Sequence, residues 1–382
     1  MSQIKRKQEV LLNSRIGQDK PLIQVLIGPR QVGKSTIVKA VLAGRGVYES
    51  ADSPTPLSYN DIEEFWQRAT ASSDKILAID ELQKIEGWAE IIKKKWDQNP
   101  FELKVILTGS AALAIEKGLK ESLAGRYELI YCPHWSLTEA TSAFEMTLND
   151  YIEFGCYPGS ITMMDDVSRW AQYIRDSIVE PAIGRDILQL HPVENPALLR
   201  QVFGVALSRP AQIVSLNKMQ GLLSDKGALA TVQHYLQLLE KGFLISLIEK
   251  YSPDRLRLKK SPPKIIINDN GLMRAFLRPV SAPLPSELFG RFFENCVGAR
   301  LKDKGWEIYY WVDRDLEVDL IGFGPNGEKY AIEVKTSVID EKNLKGLKTF
   351  TAKYREFTPC LVSLVDQVVP GIQSLSAKDV LA

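Results

Sequence analysis

Apolar and polar positions along this chain follow two rhythms. Apolar runs at Gln24-Val25-Leu26-Ile27 and Ile76-Leu77-Ala78-Ile79, and the stretch Leu103–Ser110 that ends in small polar residues, predict strands; a parallel strand covered on both faces reads as such a run. Between them, Thr36–Leu42, Asp61–Ala71 and Trp88–Gln98 predict helices; in the last, apolar positions 88, 91, 92 and 96 share one face. Residues 1–20 predict a basic, partly amphipathic helix, with Ile4, Val10, Leu11, Leu12 and Ile16 covering an edge of the sheet. Asp150–Gly159 and Trp170–Leu190 read as a mostly helical connector. Leu198–Ser208, Val214–Leu223 and Leu229–Lys241 predict three helices, and Phe243–Ile248 a strand. The last third predicts a strand and turn at Lys264–Leu272 and a helix at Phe289–Leu301. Strands follow at Trp306–Val312, Glu317–Ile321 and Tyr330–Lys335. In the last strand, period two puts Glu333 and Lys335 on one face and Val334 on the other.

The first of these strands runs into Gly28–Ser35, GPRQVGKS, which fits the phosphate-binding pattern G-x-x-x-x-G-K-[ST] and opens a helix. Gly28, Pro29, Arg30, Gln31, Val32, Gly33, Lys34, Ser35 and Thr36 would wrap the phosphates of ATP. The loop N–H groups and helix N-terminus would point at them. Lys34 would reach the β- and γ-phosphates and Ser35 would place its hydroxyl on Mg²⁺. The run at 76–79 ends in Asp80 and Glu81, where a parallel strand opens onto its ligand crevice. Asp80 would hold the Mg²⁺ shell and Glu81 would activate the attacking water. Thr108 or Ser110, at the end of the next strand, would sense the γ-phosphate. Arg126 is either an arginine finger or the partner of an acid.

At 382 residues the chain predicts two or three domains. A net charge of +1 means that any nucleic-acid surface must be local. Cys132, Cys156, Cys296 and Cys360 form no C-x-x-C pair, and three histidines supply no zinc spacing. Free thiols in a reducing compartment are expected. The N-terminus lacks the apolar core of a signal peptide and no apolar run approaches membrane-spanning length, so a cytoplasmic protein without a membrane partner is expected.

GPRQVGKST, ILAIDELQKI, LTGSAAL and ESLAGRYELIYCPHWSLTE, in this order, resemble the AAA-type ATPases of prokaryotes that carry a C-terminal domain of unknown function. Gly155-Cys156-Tyr157-Pro158 stands where that family usually has Gly-Gly-aromatic-Pro. Arg185-Asp186-Ile187 also resembles family positions, for which packing is the expected role. AAA-type rings suggest self-association.

Residues 197–250 read as a winged-helix module, with Thr231, Gln233, His234 and Gln237 on an exposed face. Residues 197–265 hold eleven Lys and Arg against four acids, among the bases Arg200, Lys264 and a basic wing tip of Arg255, Arg257, Lys259 and Lys260. Two readings stay open, contact with the DNA backbone and contact with a protein. Asp319 followed by Glu333-Val334-Lys335, with Glu294 on a helix upstream, resembles the restriction-endonuclease-like PD-(D/E)-x-K fold. Asp319 and Glu333 would hold a divalent metal, Glu294 would complete its shell, and Lys335 would stabilise the oxyanion of phosphodiester hydrolysis.

The expected fold is therefore α/β, with an AAA-type P-loop NTPase domain on a parallel sheet over 1–140 and a helical connector over 141–196. A winged helix over 197–263 and a restriction-endonuclease-like α/β domain over 264–382 complete it. The expected function is Mg²⁺-dependent ATP hydrolysis coupled to DNA binding or processing. The alternative is a nucleotide-gated switch or scaffold with a protein partner and a vestigial nuclease fold.

Overall fold

The computed structural model describes residues 4–110, 112–188, 192–225, 227–253 and 261–382. The chain folds as two compact units. The first comprises 1–133 with 185–190, the second 134–184 with 191–382.

The first unit opens with helix α1 (Lys7–Ile16), then β1 (Ile23–Ile27), α2 (Lys34–Leu42), β2 (Val47–Ser50), α3 (Tyr59–Ala71) and β3 (Ile76–Asp80). It continues through α4 (Trp88–Gln98), β4 (Lys104–Gly109), α5 (Ala112–Ser122) and β5 (Tyr127–Tyr131). The five strands are parallel in the order β2-β3-β4-β1-β5. Period two divides their side chains between two cores. Val25, Leu77, Ile79, Val105 and Leu107 meet α3, α4 and α5, whereas Leu26, Ala78, Ile106 and Ile130 meet α1 and α2. This double burial is why the strands read as continuous apolar runs. The Ser58–Asp61 capping box sets the start of α3. On α1 only Leu12 and Ile16, one turn apart, are buried; Val10 and Leu11 are exposed, contrary to the expectation that all would cover the sheet. A single helix meets the sheet along one stripe, and positions 10 and 11 lie off it.

The second unit begins with α6 (Leu137–Phe144), α7 (Leu148–Phe154) and α8 (Val167–Tyr173), continued by wider π-helical turns over Ile174–Val179. Next come α9 (Pro196–Leu207), β6 (Gln212–Ile213), α10 (Leu216–Gly221), α11 (Leu229–Lys241), β7 (Ile245–Ile248) and β8 (Lys264–Ile267). β8 lies between β6 and β7 and is antiparallel to both, so the strand at 264–267 belongs to this three-stranded sheet rather than to the following one. The remaining elements are α12 (Asn270–Arg274), α13 (Ser286–Asp303), β9 (Glu307–Asp313), β10 (Leu316–Phe323), β11 (Lys329–Lys335), α14 (Lys345–Lys353), β12 (Thr358–Ser363), β13 (Gln373–Ser376) and α15 (Ala377–Leu381). Their sheet, in the order β13-β12-β11-β10-β9, is antiparallel from β9 to β11 and parallel from β11 to β13. Its aromatic core gathers Trp311, Val318, Ile321, Phe350 and Phe357.

Asp269 anchors this unit internally. Its carboxylate accepts the N–H of Gly271 at 2.8 Å, starting α12, and the N–H of Cys156 at 2.9 Å. Gly155 is required beside it, because a Cβ there would lie 2.0 Å from Asp269 Oδ1. Burial pushes the Asp269 carboxyl up to about 6 against these two donors.

Candidate functional site

The strand order builds the first site. β4 lies between β1, which delivers the phosphate loop, and β3, which ends in Asp80. A polar residue at the end of β4 therefore stands between loop and acid. The Thr108 hydroxyl donates a short hydrogen bond to Asp80 Oδ1, and the Tyr48 hydroxyl donates to Asp80 Oδ2 at 2.7 Å. Burial alone would push the Asp80 carboxyl up, but hydrogen bonds from Ser35, Thr108 and Tyr48 hold it below the usual range. Tyr48, also bonded to Ser35, is raised by burial and by Asp80. The hydroxyl of Ser35 and the carboxylate of Asp80 are hard oxygen donors within hydrogen-bond reach of each other, and that pairing fits Mg²⁺.

Gly33 caps α2 in the left-handed region at φ 96°, so the helix starts with Lys34. The Lys34 ammonium folds back onto the carbonyls of Gly28 at 2.9 Å and Pro29 at 2.6 Å. Burial pushes its pKa down, with Glu81 the largest opposing charge. Gly28 has a structural reason of its own, since a Cβ there would lie 2.1 Å from the Cys132 carbonyl oxygen. Gly28→Ala is expected to shift the loop off β5, cost about 1–3 kcal/mol and abolish nucleotide binding. Thermal melts and nucleotide titration of the variant check this, and wild-type values in both would refute it.

Glu81 lies in the left-handed region at φ 54°, which is rare for a residue with a Cβ and concentrated at functional sites. Its backbone N–H bonds Asp80 Oδ1 at 3.1 Å. Its carboxylate accepts from the amide of Gln83 at 2.6 Å and from the Ser110 hydroxyl at 3.3 Å. Thr108 thus serves Asp80, whereas the single Ser110 hydroxyl is shared between Glu81 at 3.3 Å and Asp186 at 3.2 Å. Arg126 is half-buried and bidentate with Asp97 at 2.7 and 3.0 Å, so of its two sequence readings the structure displays the pairing.

Three residues of this site were missed or left without a role in the sequence. Tyr48 follows no motif. Arg6, almost fully buried, donates to the carbonyls of Val32 at 2.9 Å and Pro133 at 3.1 Å. Asp186, expected only to pack, meets the loop residue Arg30 through two bonds of 2.6 Å.

A second cluster lies in the second unit. Asp319 sits where the β9–β10 register shifts, a bulge of the kind that re-aims a side chain next to a site. Its Oδ2 accepts the Val334 N–H at 2.9 Å. Lys335 lies 2.7 Å from Glu333 Oε1 and 3.7 Å from Asp319 Oδ2, and Glu333 Oε2 is buried without a hydrogen-bond partner. Burial, then the charge of Asp319, pushes Glu333 up to about 8. Glu294 lines one pocket with Asp319 and Glu317. It pairs with Lys264 at 2.6 Å, because a buried acid needs a counter-ion. Lys264 also reaches Glu317 at 3.3 Å and the Asp319 carbonyl at 3.0 Å. Among the described residues no three of His, Cys, Asp and Glu converge in a way that could hold a metal ion.

Among the described residues, the bases expected to form a face over 197–265 are only partly exposed. Lys264 is buried and Arg200 pairs with Glu180 at 2.8 Å, while Lys218 and Lys241 are exposed. Arg255, Arg257, Lys259 and Lys260 lie outside the described residues. Gln233, His234 and Gln237 are exposed on α11, and Thr231 is half-buried. All four cysteines are buried thiols outside any disulfide. No helix among the described residues is long and apolar enough to cross a membrane.

The parallel sheet, its phosphate loop and the acid one strand removed have the arrangement of an AAA-type P-loop NTPase fold, which implies nucleotide binding. A family model described as an AAA domain matches residues 20–141. Two models described as domains of unknown function (DUF8612 and DUF4143) match 145–281 and 289–377. The chain is similar to an uncharacterized protein of Haemophilus influenzae, 25% identical, over 89% of this chain and 92% of that one. An uncharacterized Mycobacterium tuberculosis protein is 24% identical over 82% of this chain and 70% of its own length. Among solved structures, the RuvB Holliday junction branch migration motor of Thermotoga maritima is 15% identical at a TM-score of 0.33, covering 65% of this chain and 88% of that one. AMPPCP-bound DnaA of Aquifex aeolicus is 14% identical at a TM-score of 0.34, over 63% and 90%.

Proposed function

We propose that this chain hydrolyses ATP with Mg²⁺ and couples hydrolysis to DNA binding or processing by its second unit. The observation that carries the ATPase reading is the convergence of Lys34, Ser35, Asp80 and Glu81 at the ends of β1 and β3. In this reading the loop N–H groups and Lys34 bind the phosphates. Ser35 and Asp80 would hold Mg²⁺, which would supply charge neutralisation, and Glu81 would take a proton from the attacking water.

The order helix, strand, helix, helix, strand, strand from α9 to β8 supports a winged helix, with Lys218 and Lys241 as backbone-contacting bases. Asp319 at its bulge beside Glu333 and Lys335 supports a restriction-endonuclease-like domain. The buried Glu333 Oε2 has no hydrogen-bond partner and leaves an acceptor beside Asp319, so a cation there would need water to complete its shell. The ATPase domain would span 1–140 and the connector 141–196, with the boundary between the last two domains moved past β8. A second reading, a switch or scaffold whose nuclease fold no longer cuts, is favoured by Lys264, which neutralises Glu294 and Glu317 from within.

The test measures ATP turnover with and without duplex DNA, and nicking of supercoiled plasmid by wild type and Asp319→Ala with Mg²⁺ or Mn²⁺. DNA is expected to raise turnover, and Asp319→Ala to abolish nicking. Nicking should rise between about pH 7 and 9, because Glu333 must lose its proton to take a cation. Turnover indifferent to DNA, with plasmid intact in both metals, would select the second reading.

A further inference from the structure

Residues 185–190 are the one stretch beyond 133 that lies in the first unit, flanked in sequence on both sides by the second. Of these, 185–188 fall on a π-helical segment, Ala182–Leu188, a geometry that recurs at functional sites. What the stretch brings to the first unit is a carboxylate. Asp186 is almost fully buried and takes both ends of the Arg30 guanidinium fork at 2.6 Å. It also accepts the Ser110 hydroxyl at 3.2 Å.

Arg30 belongs to the phosphate loop, and Ser110 ends the strand beside it. A guanidinium fork fits a carboxylate and a phosphate equally well. The negative charge of Asp186 is felt at Lys34 as well as at Arg30. A buried anion thus occupies donors of the phosphate loop and of the strand end beside it. That anion and a terminal phosphate cannot share Arg30 without placing like charges side by side in a cleft of low dielectric.

Building on the ATPase reading, we propose that Asp186 is a specificity-determining residue, an internal competitor through which the site distinguishes a nucleoside triphosphate from a diphosphate. With no terminal phosphate, Arg30 stays on Asp186. When one is bound, Arg30 transfers to it and the 182–188 turn loses its tie to the loop. A diphosphate leaves the pair in place.

The experiment measures the affinity of adenylyl imidodiphosphate and of ADP for wild type, Asp186→Asn, Arg30→Ala and the double variant. Asp186→Asn keeps the shape and the Ser110 bond but removes the charge. It is expected to bind the triphosphate analogue about tenfold tighter and ADP unchanged. The gain is expected to vanish in the double variant. Looser binding of the analogue by Asp186→Asn, or an equal gain for ADP, would overturn the proposal. In unmodified protein, amide hydrogen exchange over 182–188 is expected to rise with the analogue and not with ADP; no difference would also overturn it. If wild type binds neither nucleotide, the ATPase reading fails instead, a distinct result.

Discussion

Glu81→Gln is expected to lower ATP turnover by about 10²–10³-fold while ATP affinity changes only a few-fold. Gln83 and Ser110 hold the Glu81 carboxylate from two sides, so an isosteric amide keeps the shape of the site. What it loses is the capacity to accept a proton from water. The left-handed backbone at Glu81 is the second reason to expect a role beyond packing. A residue with a Cβ adopts φ 54° at a cost of roughly 1–3 kcal/mol. Phosphate release under saturating ATP, measured beside binding of a fluorescent nucleotide, separates the possibilities. Turnover at the wild-type rate would place the base elsewhere. Affinity that collapses with turnover would make Glu81 a structural residue. Asp80 is a different case, because Ser35, Thr108 and Tyr48 all converge on it and its removal would leave three donors without their acceptor.

Lys264→Met is expected to destabilise the second unit by roughly 3–5 kcal/mol, the cost of removing one partner from a buried ion pair. Its ammonium is almost fully buried between Glu294, Glu317 and the Asp319 carbonyl. Burial would lower its pKa, but Glu294, Asp319 and Glu317 together raise it. Burial pushes Glu294 up to about 7 even with Lys264 opposing, and without the ammonium it rises further. A carboxyl raised in the folded state binds a proton that the unfolded chain releases. Its contribution to stability is therefore complete below the unfolded value, about 4.5, and is lost as pH rises through the folded one. The deficit of Lys264→Met should accordingly be smaller near pH 5 than near pH 8, and adding Glu294→Gln should recover most of it. Chemical denaturation at the two pH values reads both effects. A loss independent of pH would assign Lys264 to packing rather than to charge.

The parts of this protein that depend on local chemistry are legible in its residues. A phosphate loop needs glycine at Gly28 and Gly33 and a lysine next to a hydroxyl, so GPRQVGKS is legible as written. A strand buried on both faces must be apolar throughout, so β1, β3 and β4 declared themselves, and an acid at the end of β3 followed from where such strands open. Alternation along β11 placed Glu333 and Lys335 together for the same kind of reason. Only the tertiary structure decided which distant groups complete these sites. Arg30 meets Asp186, Tyr48 meets Asp80, and Lys264 meets Glu294 and Glu317 across long intervals of chain. Periodicity says which face a residue occupies but carries no information about which element packs there. Lys264 shows the consequence. After Pro262 and Pro263 it reads as one more base of a basic stretch, yet β8 lies between β6 and β7 and buries it. Burial of a charge is set by the counter-charges that other strands and helices bring to it, and those are fixed only when the sheet closes.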